Sequence, residues 1–209
     1  MAEFPARHPP KSRKSFKKKL EPRLEEAKRC ERKVFFVDAA HFVLAHFFGF
    51  LWAVARISIR TPHGRQRLNV LGAVDAISKQ IVTICNETYV NAETVNALLD
   101  KLVPMTDLPI TLVLDNARYQ RCNFVMEHAR KLGIELLFLP SYSPNLNLIE
   151  RLWKLVKKKC LYNRYYSLFS DFREAILTCL AELNADSQPE LESLLTLEFQ
   201  DIKKIKLSS

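Results

Sequence analysis

Hydrophobic positions in this chain fall in short blocks rather than one long run. Val34-Phe35-Phe36-Val37 is wholly apolar and ends at Asp38, which predicts a buried strand over Val34–Asp38. Ile110-Thr111-Leu112-Val113-Leu114, ending at Asp115, has the same character, and Ile134–Leu139 reads as a last strand. Between them Trp52–Ile59, Arg67–Val74 and Lys79–Asn86 are β-rich, with a turn at Thr61-Pro62-His63-Gly64 after the first. Helical spacing governs Asn91–Val103, where Val95, Leu98, Leu99 and Leu102 share a face. It returns in Tyr119–Leu132, closed by Gly133, in Leu148–Lys159 and in Asp171–Leu183. Strands come first and then alternate with helices, so early hairpins and later crossovers build an α/β domain with a mixed sheet flanked by helices.

Residues 1–33 break that pattern. Pro5, Pro9, Pro10 and the run Lys11-Ser12-Arg13-Lys14-Ser15-Phe16-Lys17-Lys18-Lys19 oppose compact folding and predict a basic arm or linker. A short helix from about Arg23 to Lys33 fits after Pro22. The net charge is +9 over 209 residues, and residues 1–33 hold +7 of it. The rest is nearly neutral, so an anionic partner would be met first by the arm. Lys17, Lys18 and Lys19 are its candidate phosphate contacts, against the alternative of a solvated linker. Residues 34–185 then form one domain, and 186–209 a tail with a short helix carrying Leu191, Leu194 and Leu195.

Five cysteines, odd in number and without a C-x-x-C pair, support neither a zinc site nor a disulfide framework and fit a reducing compartment. No apolar stretch approaches the roughly 20 residues of a membrane span, and the N-terminus lacks a secretory core. The expectation is a cytoplasmic protein.

Three carboxylates carry the candidate chemistry. Asp38 and Asp115 end buried strands, and Glu150 opens a helix; two strand-end acids and one helix-start acid can converge on a pair of divalent ions, the equipment of phosphodiester chemistry. Each has a plainer reading. A strand-end Asp also suits a turn. Asn147-x-x-Glu150 resembles a capping box, and Glu150 precedes Lys154 in the order that favours a surface ion pair. On the same helix Ile149, Leu152, Trp153 and Val156 form a core stripe, while Glu150, Lys154, Lys157 and Lys158 share a neighbouring one. That stripe is either a solvated face or a metal ligand with phosphate-binding lysines behind it. The helix N-terminus favours an ionised Glu150. Arg65 and Arg67, with Arg56 and Arg60, bracket the turn at His63-Gly64, which reads either as a plain solvated hairpin or as a further set of candidate DNA contacts. His41 reads as structural, and Trp52 and Trp153 as core or interface aromatics.

Four segments carry a resemblance to a known family. They are Val34-Phe35-Phe36-Val37-Asp38-Ala39-Ala40-His41, Arg67-Leu68-Asn69-Val70-Leu71-Gly72-Ala73, Leu112-Val113-Leu114-Asp115-Asn116-Ala117 and the run from Leu139 to Trp153, which is the most specific. The chain resembles the DDE transposases of the mariner superfamily, in their bacterial insertion-sequence branch, and the 34 residues between Asp115 and Glu150 match that superfamily's Asp-Asp-Glu spacing. The likeness covers roughly residues 34–185. It implies a ribonuclease-H-like, five-stranded mixed sheet and two Mg²⁺ or Mn²⁺ ions held by Asp38, Asp115 and Glu150. It further implies cleavage of element ends, transfer of 3′-hydroxyl strands into target DNA, a homodimer on DNA and a nucleoid-associated place in a bacterial cytoplasm. Two positions depart from it: Leu148 stands where many relatives have Pro, and Tyr119-Gln120 where many have a His. Relatives also carry N-terminal helix-turn-helix modules, and the 33-residue basic arm before the first strand is too short for such a pair, so the chain is expected to be a catalytic part alone. Two other readings stay open: a nuclease of the same fold that only hydrolyses, and a non-catalytic DNA-binding remnant.

Overall fold

The computed structural model describes residues 10–44, 66–140, 146–185 and 188–197. Helix α1 (Pro10–Lys28) precedes strands β1 (Lys33–Val43), β2 (Arg67–Asp75) and β3 (Ile81–Asn86). Helix α2 (Ala92–Leu102), β4 (Ile110–Leu114), α3 (Asn123–Lys131) and β5 (Glu135–Phe138) follow. Then come α4 (Ile149–Val156), which continues as a π turn over Lys157–Leu161, α5 (Phe169–Ala185) and α6 (Gln188–Leu194). The predicted strand at Trp52–Ile59 lies outside the described residues.

Five strands make one sheet in the order β3-β2-β1-β4-β5. β1 pairs antiparallel with β2 and parallel with β4, so the sheet is mixed, as the block pattern predicts. β1 is apolar on both faces because it is central and covered on both sides. Val34, Phe36, Ala40 and Phe42 face one core, shared with α1, α4, α5 and α6. Phe35 and Val37 face a second, shared with α2 and α3. The predicted stripe of α2, Val95, Leu98, Leu99 and Leu102, is wholly buried, and Asn91 caps the helix through a bond from the Thr94 amide at 2.9 Å. Gly133, at φ +70°, ends α3 in the left-handed conformation that glycine adopts without strain. α3 begins at Asn123, four residues later than its apolar periodicity suggests, because residues 118–122 are taken up by turns. All five cysteines are free, and among the described residues no helix is long and apolar enough to cross a membrane.

The N-terminal segment departs most from its sequence pattern. It forms 19 residues of helix with Pro22 in the interior. Phe16, Leu20, Leu24 and Ala27, spaced three and four apart, form a stripe that is buried against the sheet. An ion pair holds the helix in place, Arg23 meeting Glu135 of β5 at 2.7 Å, and just after the helix Arg32 donates a hydrogen bond to the Thr111 hydroxyl of β4 at 3.0 Å. The lysines around that stripe concealed it, and packing outweighs the hydrogen bond that Pro22 cannot make. Leu20 is 1% exposed, so Leu20→Ala should lower stability by about 2–5 kcal/mol in urea denaturation; a solvated arm would give no change.

Candidate active site

Strand alternation decides which carboxylates meet. Even-numbered positions of β1 face α4, and Asp38 falls among them between Phe36 and Ala40. On β4 it is Thr111 and Val113 that face this side, and Asp115, one residue past the strand, keeps their parity. The last parallel pair is Phe36 with Val113, so two residues further on the register brings Asp38 beside Asp115. Neighbouring strands lie about 4.8 Å apart. Asp115 completes its strand end by accepting the Ala117 amide at 3.1 Å. Glu150, second residue of α4, approaches from above the same face.

α4 reaches the sheet through one opening. Gly72 of β2 lies directly opposite Asp38 in the antiparallel ladder. A Cβ at Gly72 would stand 2.6 Å from Cη2 of Trp153, 2.7 Å from its Cζ2 and 3.1 Å from Cδ1 of Ile149. The missing side chain is therefore the seat of the indole, which also meets Phe42 edge-on with centroids 6.3 Å apart. Asn147, buried just before the helix, donates to the carbonyl of Val37 at 3.4 Å, next to Asp38. At the outer side Arg151 donates to the carbonyls of Leu194 and Thr196 at 3.2 and 3.1 Å, and Leu191 and Leu195 are fully buried. The segment after α5 is thus part of the support of Glu150. A lone glycine within the apolar strand Leu68–Val74 was the sequence signal for this close approach; the clamp by Arg151 had none.

The capping-box reading of Glu150 is not realised. Leu148 is the cap residue, without a side-chain cap bond, and Asn147 turns to β1 instead. Glu150 and Lys154 do not close a salt bridge, although the lysine's charge still favours ionised Glu150. The helix start was expected to keep Glu150 ionised; burial outweighs it and raises its pKa. Asp38 is affected more. Burial first, then the charges of Asp115 and Glu150, push it up to about 7, against the Ala39 amide and the nearby Trp153 indole N–H. That N–H is itself buried without a partner of ordinary hydrogen-bond geometry. The phenol of Tyr119 is pushed up to about 12 by burial and by the same two aspartates, so it remains a neutral donor at the rim.

Among the described residues no group of three or more His, Cys, Asp and Glu side chains forms a ready cation cage. The donor set nevertheless fits a hard divalent ion: carboxylate oxygens only, with Asp38 pushed up to about 7 by burial first and then by its neighbours' charges. None of the three is closed by a Lys or Arg salt bridge among the described residues. A cation would relieve the repulsion that burial creates.

The other candidates are scattered. Lys154, Lys157 and Lys158 are exposed along α4 and its π turn, with Lys157 Nζ 5.9 Å from the Phe42 ring centroid. Arg67 lies on β2 with the parity opposite to Gly72 and is held by the Thr88 carbonyl at 2.7 Å, so it ties β2 to the loop after β3. Arg65, with Arg56, Arg60 and Trp52, lies outside the described residues. Lys18 and Lys19 are exposed on α1 and Lys17 is half-buried there. His41 points to the other face and meets Asn69 at 2.6 Å, a structural role.

Comparison with known proteins agrees with this architecture. A search of curated proteins finds no match. Among solved structures, the Mos1 strand transfer complex superposes with a TM-score of 0.60 at 13% identity, over 97% of this chain and 66% of that one. A Mos1 mariner paired end complex with Mn gives 0.57 at 13% identity, over 96% and 67%. The intasome of simian T-cell lymphotropic virus with a PP2A regulatory subunit gives 0.53 at 15%, over 84% and 59%. This chain therefore spans about two thirds of the length of the transposase it matches, and the shared feature is the ribonuclease-H-like fold.

Two predictions follow from the packing and the charge. Gly72→Ala should lower stability by about 1–3 kcal/mol through overpacking, and Trp153→Leu in the same chain should recover part of it in a double-mutant cycle. Independent sites would add without coupling. For Asp38, the folded state keeps a proton that the unfolded chain, with an ordinary pKa near 3.9, has already released. The metal-free chain should accordingly lose up to about 4 kcal/mol as pH rises from about 4 to about 7. Asp38→Asn should remove that part of the slope in urea titrations with chelator; an unchanged slope counts against it.

The profile of the DDE superfamily endonucleases matches residues 33–173, from the start of β1 into α5 and across all three carboxylates, and the chain belongs to that family.

Proposed function

We propose that this chain is the catalytic domain of a DNA transposase of the mariner superfamily, in its bacterial insertion-sequence branch. It cleaves the ends of its element and transfers the 3′-hydroxyl strands into target DNA. The observation that carries the reading is the juxtaposition of Asp38, midway along β1 rather than at its end, and Asp115, just past the end of the adjacent β4, with Glu150 over the same sheet face. Asp38, Asp115 and Glu150 would hold two Mg²⁺ or Mn²⁺ ions, which when bound polarise a phosphodiester oxygen and activate the attacking hydroxyl.

The chain's own residues supply the rest. Asp38 must give up its proton to bind a cation, so ion affinity rises with pH through about 7. Trp153, seated on Gly72, holds Glu150 at its height above the sheet and keeps water from the inner side of Asp38. Lys154, one turn on from Glu150, and Lys158, about two turns on, stand exposed where a DNA phosphate backbone can be met. A homodimer on DNA is part of the proposal because joining needs two ends together, and a bacterial cytoplasm is the setting. A hydrolytic nuclease would use the same carboxylates, and a DNA-binding remnant would keep them without turnover.

The test incubates the purified chain with a duplex bearing a free 3′-hydroxyl element end and a target plasmid, in Mn²⁺ or in EDTA. Joined product should appear only with metal, and Glu150→Gln should reduce it about a thousandfold or more, the several kcal/mol of a lost metal contact. Metal-dependent nicking without joining would turn the reading to a nuclease. Binding without either reaction would leave the remnant.

A further inference from the structure

The connection from α4 to α5 holds aromatic side chains that the carboxylate site does not use. In Tyr162-Asn163-Arg164-Tyr165-Tyr166, one tyrosine is turned inward. Tyr166 donates its hydroxyl to the Cys160 carbonyl and meets Phe172 edge-on, with centroids 5.8 Å apart. Asn163 takes φ +58°, which Asn tolerates, and the amides of Tyr162 and Arg164 donate back to Lys157 and Leu161 at 3.0 and 3.3 Å. The turn is thus fixed from within. Two tyrosines are about half exposed, Tyr162 at 50% and Tyr165 at 49%, with Leu168 at the entry to α5 exposed 59%. Three large apolar groups exposed within seven residues of one connection are a denser exposure than surface residues scattered singly, and such density marks a contact surface.

Charge identifies what the surface contacts. Residues 154–168 contain five Lys or Arg and no Asp or Glu. Lys159 is engaged by Glu190, while Lys154, Lys157, Lys158 and Arg164 are exposed. A basic rim around flat aromatic faces fits a polyanion that offers flat apolar faces of its own, which is a nucleic-acid strand with unpaired bases. The twelve positions from Glu150 to Tyr162 advance about 18 Å along a helix axis, or about five nucleotide steps of a DNA strand.

We propose that Tyr162, Tyr165 and Leu168 form a shelf on which unpaired bases of the DNA strand stack, about five nucleotides from the phosphate at Asp38, Asp115 and Glu150. Lys158 and Arg164 hold that strand's backbone. The proposal rests on the DNA-processing reading above and adds a requirement for local strand opening.

The test measures fluorescence anisotropy of the full chain in EDTA with two probes. One is a fully paired duplex; the other leaves one strand unpaired about five nucleotides from its 3′ end and carries 2-aminopurine there. The wild-type chain should prefer the open probe and quench its 2-aminopurine by stacking. The double variant Tyr162→Ala/Tyr165→Ala should lose about tenfold or more in affinity for the open probe, stay within about twofold on the duplex, and no longer quench. Tyr162→Phe/Tyr165→Phe should retain both preference and quenching, and Lys158→Gln/Arg164→Gln should weaken both probes alike. Duplex binding with no preference for the open probe overturns the shelf and leaves the DNA reading standing. Absence of binding to either probe overturns both. If the alanine variant instead converts a dimer to a monomer in sedimentation with DNA affinity unchanged, the patch is a protein interface and the proposal fails.

Discussion

The seat of Trp153 on Gly72 is the contact on which the rest of this molecule depends. It fixes the distance from α4 to the sheet, and a helix is stiff enough to carry that distance one turn along to Glu150. The same contact closes the inner side of Asp38, which is why burial dominates the shift of that carboxyl. Everything outside α4 then acts to hold it against the sheet: α5 and α6 share its core, and Arg151 ties its outer side to the chain after α6.

The site is assembled against its own electrostatics. Burying several carboxylates beside one another without counter-cations raises the free energy of the metal-free fold, and the sheet tolerates it because two apolar cores flank β1. On the proposed function, that cost would be offset where a doubly charged ion is held more strongly than in water. Neutral Tyr119 at the rim adds a donor without adding charge.

Much of this could be read from the residues, for a physical reason. Strands covered on both faces must be apolar throughout, so Val34–Val37 and Ile110–Leu114 identified themselves, but the charged residue ending each run marks a strand terminus only at Asp115, not at Asp38. The bounds were less legible. β1 continues five residues past Asp38 because Ala40 and Phe42 still pack on α4 while His41 finds Asn69, a bond between strands that no local pattern encodes. α1 was hidden because its buried stripe is sparse and set among lysines, and because Pro22 suggests a helix start to any local rule. Asn147 suited a cap by type and position, but a buried carbonyl on β1 offered it a different partner. The family resemblance added an expectation that periodicity could not, that three carboxylates far apart in sequence act together.

The pairing of β1 with β4 has a consequence for the order in which the protein comes into being. Its partners Lys33 and Ile110 are 77 residues apart, and the closing contacts of Arg151 lie later still, at Leu194 and Thr196. Such non-local pairing is slow, since a long loop must be closed before any contact repays it. On a ribosome the two aspartates can come together well before the helix carrying Glu150 is clamped. In a nascent chain the third carboxylate therefore stays unclamped, although already synthesised, until the segment carrying Leu194 and Thr196 has emerged.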